Sequence, residues 1–251
     1  MKKENWVKKI EINTRFSCQL EEKLCALKSY MPIFMRIFVG TIFFFLTTMA
    51  VGQHYDTVRL GKNTIIIGAF DDDKIITEGD RFLDSGMFQE AIEKYTIVVE
   101  LSPMNLEAIS KRAYAYLQMD NYSQSLDDYN IALEIDSTDY VNLSSRGLVK
   151  WYLKQYKDAL VDCDKSLKFN PNYAYAYFHK GICEYELGNY IKAINYYNKA
   201  IELDSTFTRA FYNRGAAKFE SDDISGACSD WKIAKELGHK MADSMLKKYC
   251  K

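Results

Sequence analysis

Apolar positions return at three- and four-residue spacing in short windows along this chain, and the windows recur every 34 residues. In Ala174–Phe207 the spacing predicts a helix over 174–186 and a second over 191–203. Leu187-Gly188-Asn189 separates them, with a glycine where a left-handed residue ends a helix. Asp204-Ser205 closes the second helix where Pro171 stands one period earlier. Five columns keep this register. One is small: Gly79, Ala113, Gly147, Gly181 and Gly215. Another is Ala91, Ser125, Ala159, Ala193 and Ala227. Phe88, Tyr122, Tyr156, Tyr190 and Ile224 form a third, and Tyr95, Tyr129, Cys163, Tyr197 and Trp231 a fourth. Leu101, Ile135, Phe169, Leu203 and Leu237 form the fifth. A fixed period of this length marks a solenoid in which each unit is stabilised by its neighbours. Small residues belong where two helices cross closely, and the aromatic columns fill the wider gaps between them.

The period, the small and aromatic columns and the boundary proline resemble the tetratricopeptide repeat family. The resemblance covers about residues 72–241, in units 72–105, 106–139, 140–173, 174–207 and 208–241. It implies an all-α, right-handed superhelical solenoid of five helix-turn-helix repeats. Some positions depart from the pattern: Ser125 replaces alanine, boundary prolines occur only as Pro103 and Pro171, and Asp222 stands where the fourth unit has Gly188. A last helix is predicted over 239–250, with Met241, Met245, Leu246 and Tyr249 on one face and Lys240, Lys247, Lys248 and Lys251 toward water. That suits a cap on the array, with residues 242–251 as its end. The segments from Ala227 to Trp231 and from Lys247 to Cys250 are similar to the endings of exported repeat proteins of Bacteroidetes-type bacteria.

A basic column, Arg112, Arg146, Lys180 and Arg214, precedes the small residue of each first helix. Asp128, Asp162 and Asp230 stand sixteen residues after the arginines, and Tyr196 sixteen after the lysine. The covariation points to an ion pair joining two helices. A solvated surface pair and a ligand role for the basic residues are the competing readings.

The front of the chain differs. Ile37 to Ala50 is apolar and uncharged, follows Arg36 and ends in small residues before Gln53. This describes a secretory signal peptide over 35–52. With residues 1–34 in front it is longer than such signals run, so translation starting at Met31 or Met35 is the favoured expectation. The alternative is a cytoplasmic tail with an uncleaved inner-membrane anchor. Ile12, Phe16, Leu20, Leu24 and Leu27 in the tail sit at helical spacing. Residues 53–71 read as a linker in which Thr64-Ile65-Ile66-Ile67 is β-prone.

The charge is −1 overall, but eight basic and only four acidic residues precede position 53, leaving 25 basic against 30 acidic. That argues against nucleic acid as partner, and leaves membrane contact only to an uncleaved N-terminal segment. The six cysteines have no metal spacing. Cys163, Cys183, Cys228 and Cys250 are expected as buried or terminal small hydrophobes, while Cys18 and Cys25 fall in the tail. His54, His179 and His239 lie in no metal or nucleophile motif, and no phosphate loop occurs, so neither catalysis nor a cofactor is implied. Asp71-Asp72-Asp73 reads as a helix start.

The family resemblance places first helices along a concave groove that takes peptides. Its candidates here are Tyr114, Trp151, Tyr152, Tyr175, Phe178, Tyr185, Tyr212 and Phe219, a set rich in the residues that dominate binding hot spots. Burial between helices is the competing reading for each. The lysine–asparagine clamp of one subfamily is poorly matched, since Phe178 and Ile182 stand where it needs Lys and Asn. The expectation is an exported, non-enzymatic scaffold for a protein or peptide segment. A membrane-anchored assembly factor and an enzyme with an unrecognised site are the alternatives.

Overall fold

The computed structural model describes the backbone of residues 57–60 and 63–66, and residues 71–250. The expected signal or anchor segment, the amphipathic tail pattern, Cys18 and Cys25 lie outside the described residues. The chain divides into one unit up to Phe70 and another from Asp71. In the first, the expected linker holds a hairpin: Thr57–Leu60 (β1) pairs antiparallel with Asn63–Ile66 (β2), Thr57 opposite Ile66 and Leu60 opposite Asn63. The β-prone Thr64-Ile65-Ile66 therefore forms most of a strand.

The second unit is all-α. Its helices are α1 (Asp72–Asp84), α2 (Phe88–Leu101), α3 (Leu106–Gln118), α4 (Tyr122–Ile135), α5 (Tyr140–Tyr152), α6 (Tyr156–Phe169), α7 (Ala174–Glu186), α8 (Tyr190–Leu203), α9 (Thr208–Glu220), α10 (Ile224–Glu236) and α11 (Ala242–Tyr249). Odd-numbered helices from α1 to α9 are the first helices of the repeats and start 34 residues apart. Each helix packs on the next. From α3 onward successive first helices also touch, α5 and α7 most extensively, whereas no comparable contact joins successive second helices among the described residues. The row of first helices is thereby drawn together as the inner face of the array.

The columns have direct steric causes. A Cβ added to Gly79 would lie 2.6 Å from the ring of Tyr95, and one on Gly215 would lie 2.7 Å from Trp231. At Gly147 the neighbour is Cys163 Sγ at 2.9 Å, and at Gly181 it is the Tyr197 ring. At these four glycines the fourth column fills the space, so a methyl group would force a shift, while the second repeat accommodates Ala113. Ser125 departs from alanine without leaving a buried orphan, since its hydroxyl donates to the Ala113 carbonyl at 2.8 Å.

The turn inside every repeat uses one left-handed residue. Its φ is +74° at Gly86, +58° at Asp120, +60° at Lys154, +76° at Gly188 and +64° at Asp222. The backbone thus keeps its course at Asp222 and Lys154, at a steric cost that glycine avoids. At the helix starts, Asp71 accepts from the Lys74 amide as expected of that acidic run, and Asn105 and Asp139 cap α3 and α5 in the same way.

The last helix is shorter than the predicted 239–250. Gly238, at φ +87°, closes α10, and the His239 amide turns back to the Ala234 carbonyl, so a helix resumes only at Ala242. Met241 consequently stands 57% exposed, off the covering face that Ala242, Met245, Leu246 and Tyr249 provide. The expectation for the cysteines also needs correcting: Cys228, half-buried on α10, is disulfide-bonded to Cys250. Cys163 and Cys183 are buried free thiols.

Candidate functional site

The basic column is built into the array and leaves little for a ligand. Arg112 donates Nε and Nη2 to the two oxygens of Asp128, each at 2.8 Å, and Nη1 to Thr96 of the preceding repeat at 3.3 Å. Arg146 does the same with Asp162 and Asn130, and Arg214 with Asp230 and Asn198. Each guanidinium therefore ties its own two helices together and both to the repeat before. In the fourth repeat Lys180 reaches Asp164 at 2.6 Å and lies 4.3 Å over the Tyr196 ring, so tyrosine replaces the missing carboxylate as a cation–π partner. The first repeat reverses the pair, with Glu78 at the basic position and Lys94 at the acidic one, 2.8 Å apart. That reversal is readable at the same sixteen-residue spacing but needs both columns to be followed into the first unit.

Arg112 is raised because Asp128 more than offsets its desolvation. Asp162 is lowered because Arg146 and Lys150 together exceed the desolvation that would raise it. The buried thiols are quiet: desolvation pushes Cys183 up to about 12 and Cys163 upward as well, so neither supplies a thiolate nucleophile.

The eight aromatic candidates separate into three situations. Tyr114, Tyr152 and Tyr175 are exposed at 45%, 42% and 43%. Tyr152 lies flat on Tyr122 with ring centroids 4.7 Å apart. Trp151, Tyr185, Tyr212 and Phe219 are half-buried. Trp151 and Tyr185 pack onto the core around Tyr197, Tyr212 stacks on His239 at 4.1 Å, and Phe219 sits under α11 with Tyr249 at 4.5 Å. Phe178 is not a groove residue: it is only 4% exposed, closed in by Phe207, Tyr197 and the core around Ile182. The Phe207 ring, 4.9 Å away, covers it.

A further group runs along the amino ends of α5, α7 and α9. Tyr140 meets Tyr173 at 5.0 Å, Tyr173 meets Tyr175 at 5.7 Å, and Tyr175 meets Phe207 at 4.9 Å. Arg209 lies over Phe178 and Phe207. Sequence reading passes over Tyr173 and Phe207, although a column marks them. The position before each first helix reads Asp71, Asn105, Asp139, Tyr173, Phe207, turning from capping side chains to aromatic rings at the fourth repeat.

Comparison with known proteins agrees with this geometry. Residues 76–140 and 174–207 match models described as tetratricopeptide repeat. These two stretches carry tetratricopeptide repeats. A search of curated sequences returns no match. Similar solved structures include TTC0263, a thermophilic repeat protein of Thermus thermophilus, with 15% identity over 70% of this chain and 96% of that one, at a TM-score of 0.63. MamA from Desulfovibrio magneticus RS-1 shares 20% identity over 66% and 94%, at a TM-score of 0.57. YrrB, described as having an unusual peptide-binding site, shares 22% identity over 71% and 92%, at 0.52. At these identities the likeness establishes the fold alone, a helical repeat solenoid.

Proposed function

We propose that this protein is a non-enzymatic scaffold that holds a segment of another protein along its row of first helices. The observation that carries the reading is the exposure of Tyr114 and Tyr175 on that row, with Tyr175 part of a continuous track of rings. Tyrosine offers a large, stiff, amphipathic contact at low entropic cost. The remainder after residue 52 is acidic, so a protein segment fits this face better than nucleic acid does. We place the protein outside the reducing cytoplasm. The Cys228–Cys250 disulfide supports that location, as does the apolar run at 37–50 read as an export signal.

A photo-crosslinking residue at position 114 or 175, installed in cells, should give a discrete adduct with another protein. The same residue at exposed Ser137, in the turn between α4 and α5, should not. Equal labelling from all three positions would defeat the groove reading. Mass spectrometry of the mature amino terminus tests location independently: a start near Gln53 means export with cleavage, and a retained start in the membrane fraction means an anchor.

A further inference from the structure

Arg209 differs from the arginines of the ladder. It is exposed, and among the described residues no carboxylate lies within ion-pair distance of it. Its guanidinium is held against ring faces, 5.4 Å from the centroid of Phe178 and 5.8 Å from that of Phe207. Phe178 lies on α7 and Arg209 on α9, so the charge sits where two first helices face one another.

The two helices that meet at Arg209 carry no acid over the stretches beside it. Residues 174–183 of α7 and 208–219 of α9 hold no aspartate or glutamate. Neither helix has a capping side chain or an acidic first turn, whereas α1 starts with Asp71, Asp72 and Asp73. The same row is opposite in sign at its other end: α1 carries Asp72, Asp73, Glu78, Asp80 and Asp84 against Lys74 and Arg81. Groups near Arg209 register the charge. Desolvation and then Arg209 lower both His179 and His239. On the Phe207 ring that Arg209 also lies over, Tyr175 packs with its own ring exposed.

We propose that the amino ends of α7 and α9 form a subsite for an acidic peptide segment of the partner, one carboxylate pairing with Arg209 and the adjoining side chain lying on Tyr175. This rests on the groove reading above and adds its chemistry. A guanidinium stacked on rings is already oriented, so it loses little freedom when a carboxylate takes two of its N–H donors. One such cation in a net acidic remainder does not make the basic surface that nucleic acid or an anionic membrane requires.

The test is selection of a random heptapeptide display library on the full-length chain. Recovered peptides are then synthesised and measured against Arg209→Ala, Arg209→Lys and Tyr175→Ala. Recovered sequences should be rich in Asp and Glu. Arg209→Ala should weaken their binding by about tenfold or more at an unchanged melting temperature, with Arg209→Lys recovering part. Sequences without acidic bias, or acidic ones that hold their affinity in Arg209→Ala, overturn the subsite. If those peptides still lose affinity in Tyr175→Ala, the groove reading survives alone. A library that yields no enriched peptide overturns both.

Discussion

Arg146 grips Asp162 side-on, Nε to Oδ2 and Nη2 to Oδ1 at 2.8 Å each, while its third nitrogen holds Asn130 of the previous repeat. The side chain of Asp162 is 2% exposed and also receives Lys150 at 2.6 Å. Such a pair is far from the exposed kind that contributes little. Removing one member of a buried pair leaves an uncompensated charge and costs about 3–5 kcal/mol. The two single mutants should differ. Asp162→Ala strands both cations, whereas Arg146→Ala leaves Asp162 with Lys150, so the aspartate variant should melt lower. The double variant should lose clearly less than the sum of the two. Additive losses in a double-mutant cycle would refute the coupling.

The Glu78–Lys94 reversal in the first repeat suggests a companion experiment. Geometry accepts either polarity there, so exchanging the ladder pair as Arg112→Glu with Asp128→Lys should recover part of what either single change loses. A denaturant midpoint of the exchanged protein no better than the worse single variant would show that the bidentate fork, and not charge, is what that position needs.

Lys154 turns the third repeat at φ +60°, where the first and fourth repeats use Gly86 and Gly188. Nothing lies within 4 Å of a Cβ built at either glycine, so the turn itself is roomy and the cost at Lys154 is backbone strain. Lys154→Gly should stabilise the array by up to about 1 kcal/mol, the relieved strain exceeding the added freedom of the unfolded chain. Gly188→Ala should destabilise it. Thermal melts of both decide the sign.

The array was legible because its columns repeat: five copies in register report which positions touch. Gly181 against Tyr197 and Arg146 against Asp162 are same-column events, so one reading serves every repeat. What broke the period was harder. Phe178 fits the groove pattern by position, yet it is buried because Phe207, an irregular member of its own column, folds over it. The Cys228–Cys250 bond joins a repeat to the cap and has no counterpart elsewhere in the described array, so no column announces it. The late start of α11 likewise depends on one local residue, Gly238.

His179 gives the protein a pH dependence with a definite sign. It is fully enclosed on α7, with Nδ1 3.1 Å from the Ser144 carbonyl and 2.9 Å from the Ser144 hydroxyl. Desolvation, with Arg209 adding to it, holds its pKa down from 6.5 to about 3. A base whose folded pKa is depressed favours the folded state above its unfolded value and loses that advantage as the unfolded chain takes up a proton. Stability should therefore fall as pH drops below about 6.5 and continue falling toward 3. His179→Gln, neutral throughout, should flatten the decline in urea midpoint between pH 7 and 5, above the range where carboxylates with ordinary values titrate. An unchanged slope would place the dependence elsewhere.

The disulfide closes the other end of the array. Eight residues are too few for a helix to persist alone, so α11 depends on what it docks against. Tyr249 lies on Phe219 and Trp231, Asp243 pairs with Lys235, and Cys250 is bonded to Cys228 across 22 residues. Closing a loop of that length is worth about 3 kcal/mol in the chain-entropy view. Cys250→Ser should lower the melting temperature and be indistinguishable from the wild type treated with reductant. Its effect should be local to the cap. Hydrogen exchange should speed up through α11 and the exposed flank of α10, and Trp231 should become accessible to quenchers, while α3 to α6 stay protected. Loss of protection throughout would mean that the cap stabilises the whole solenoid, as one-dimensional coupling between neighbouring repeats allows.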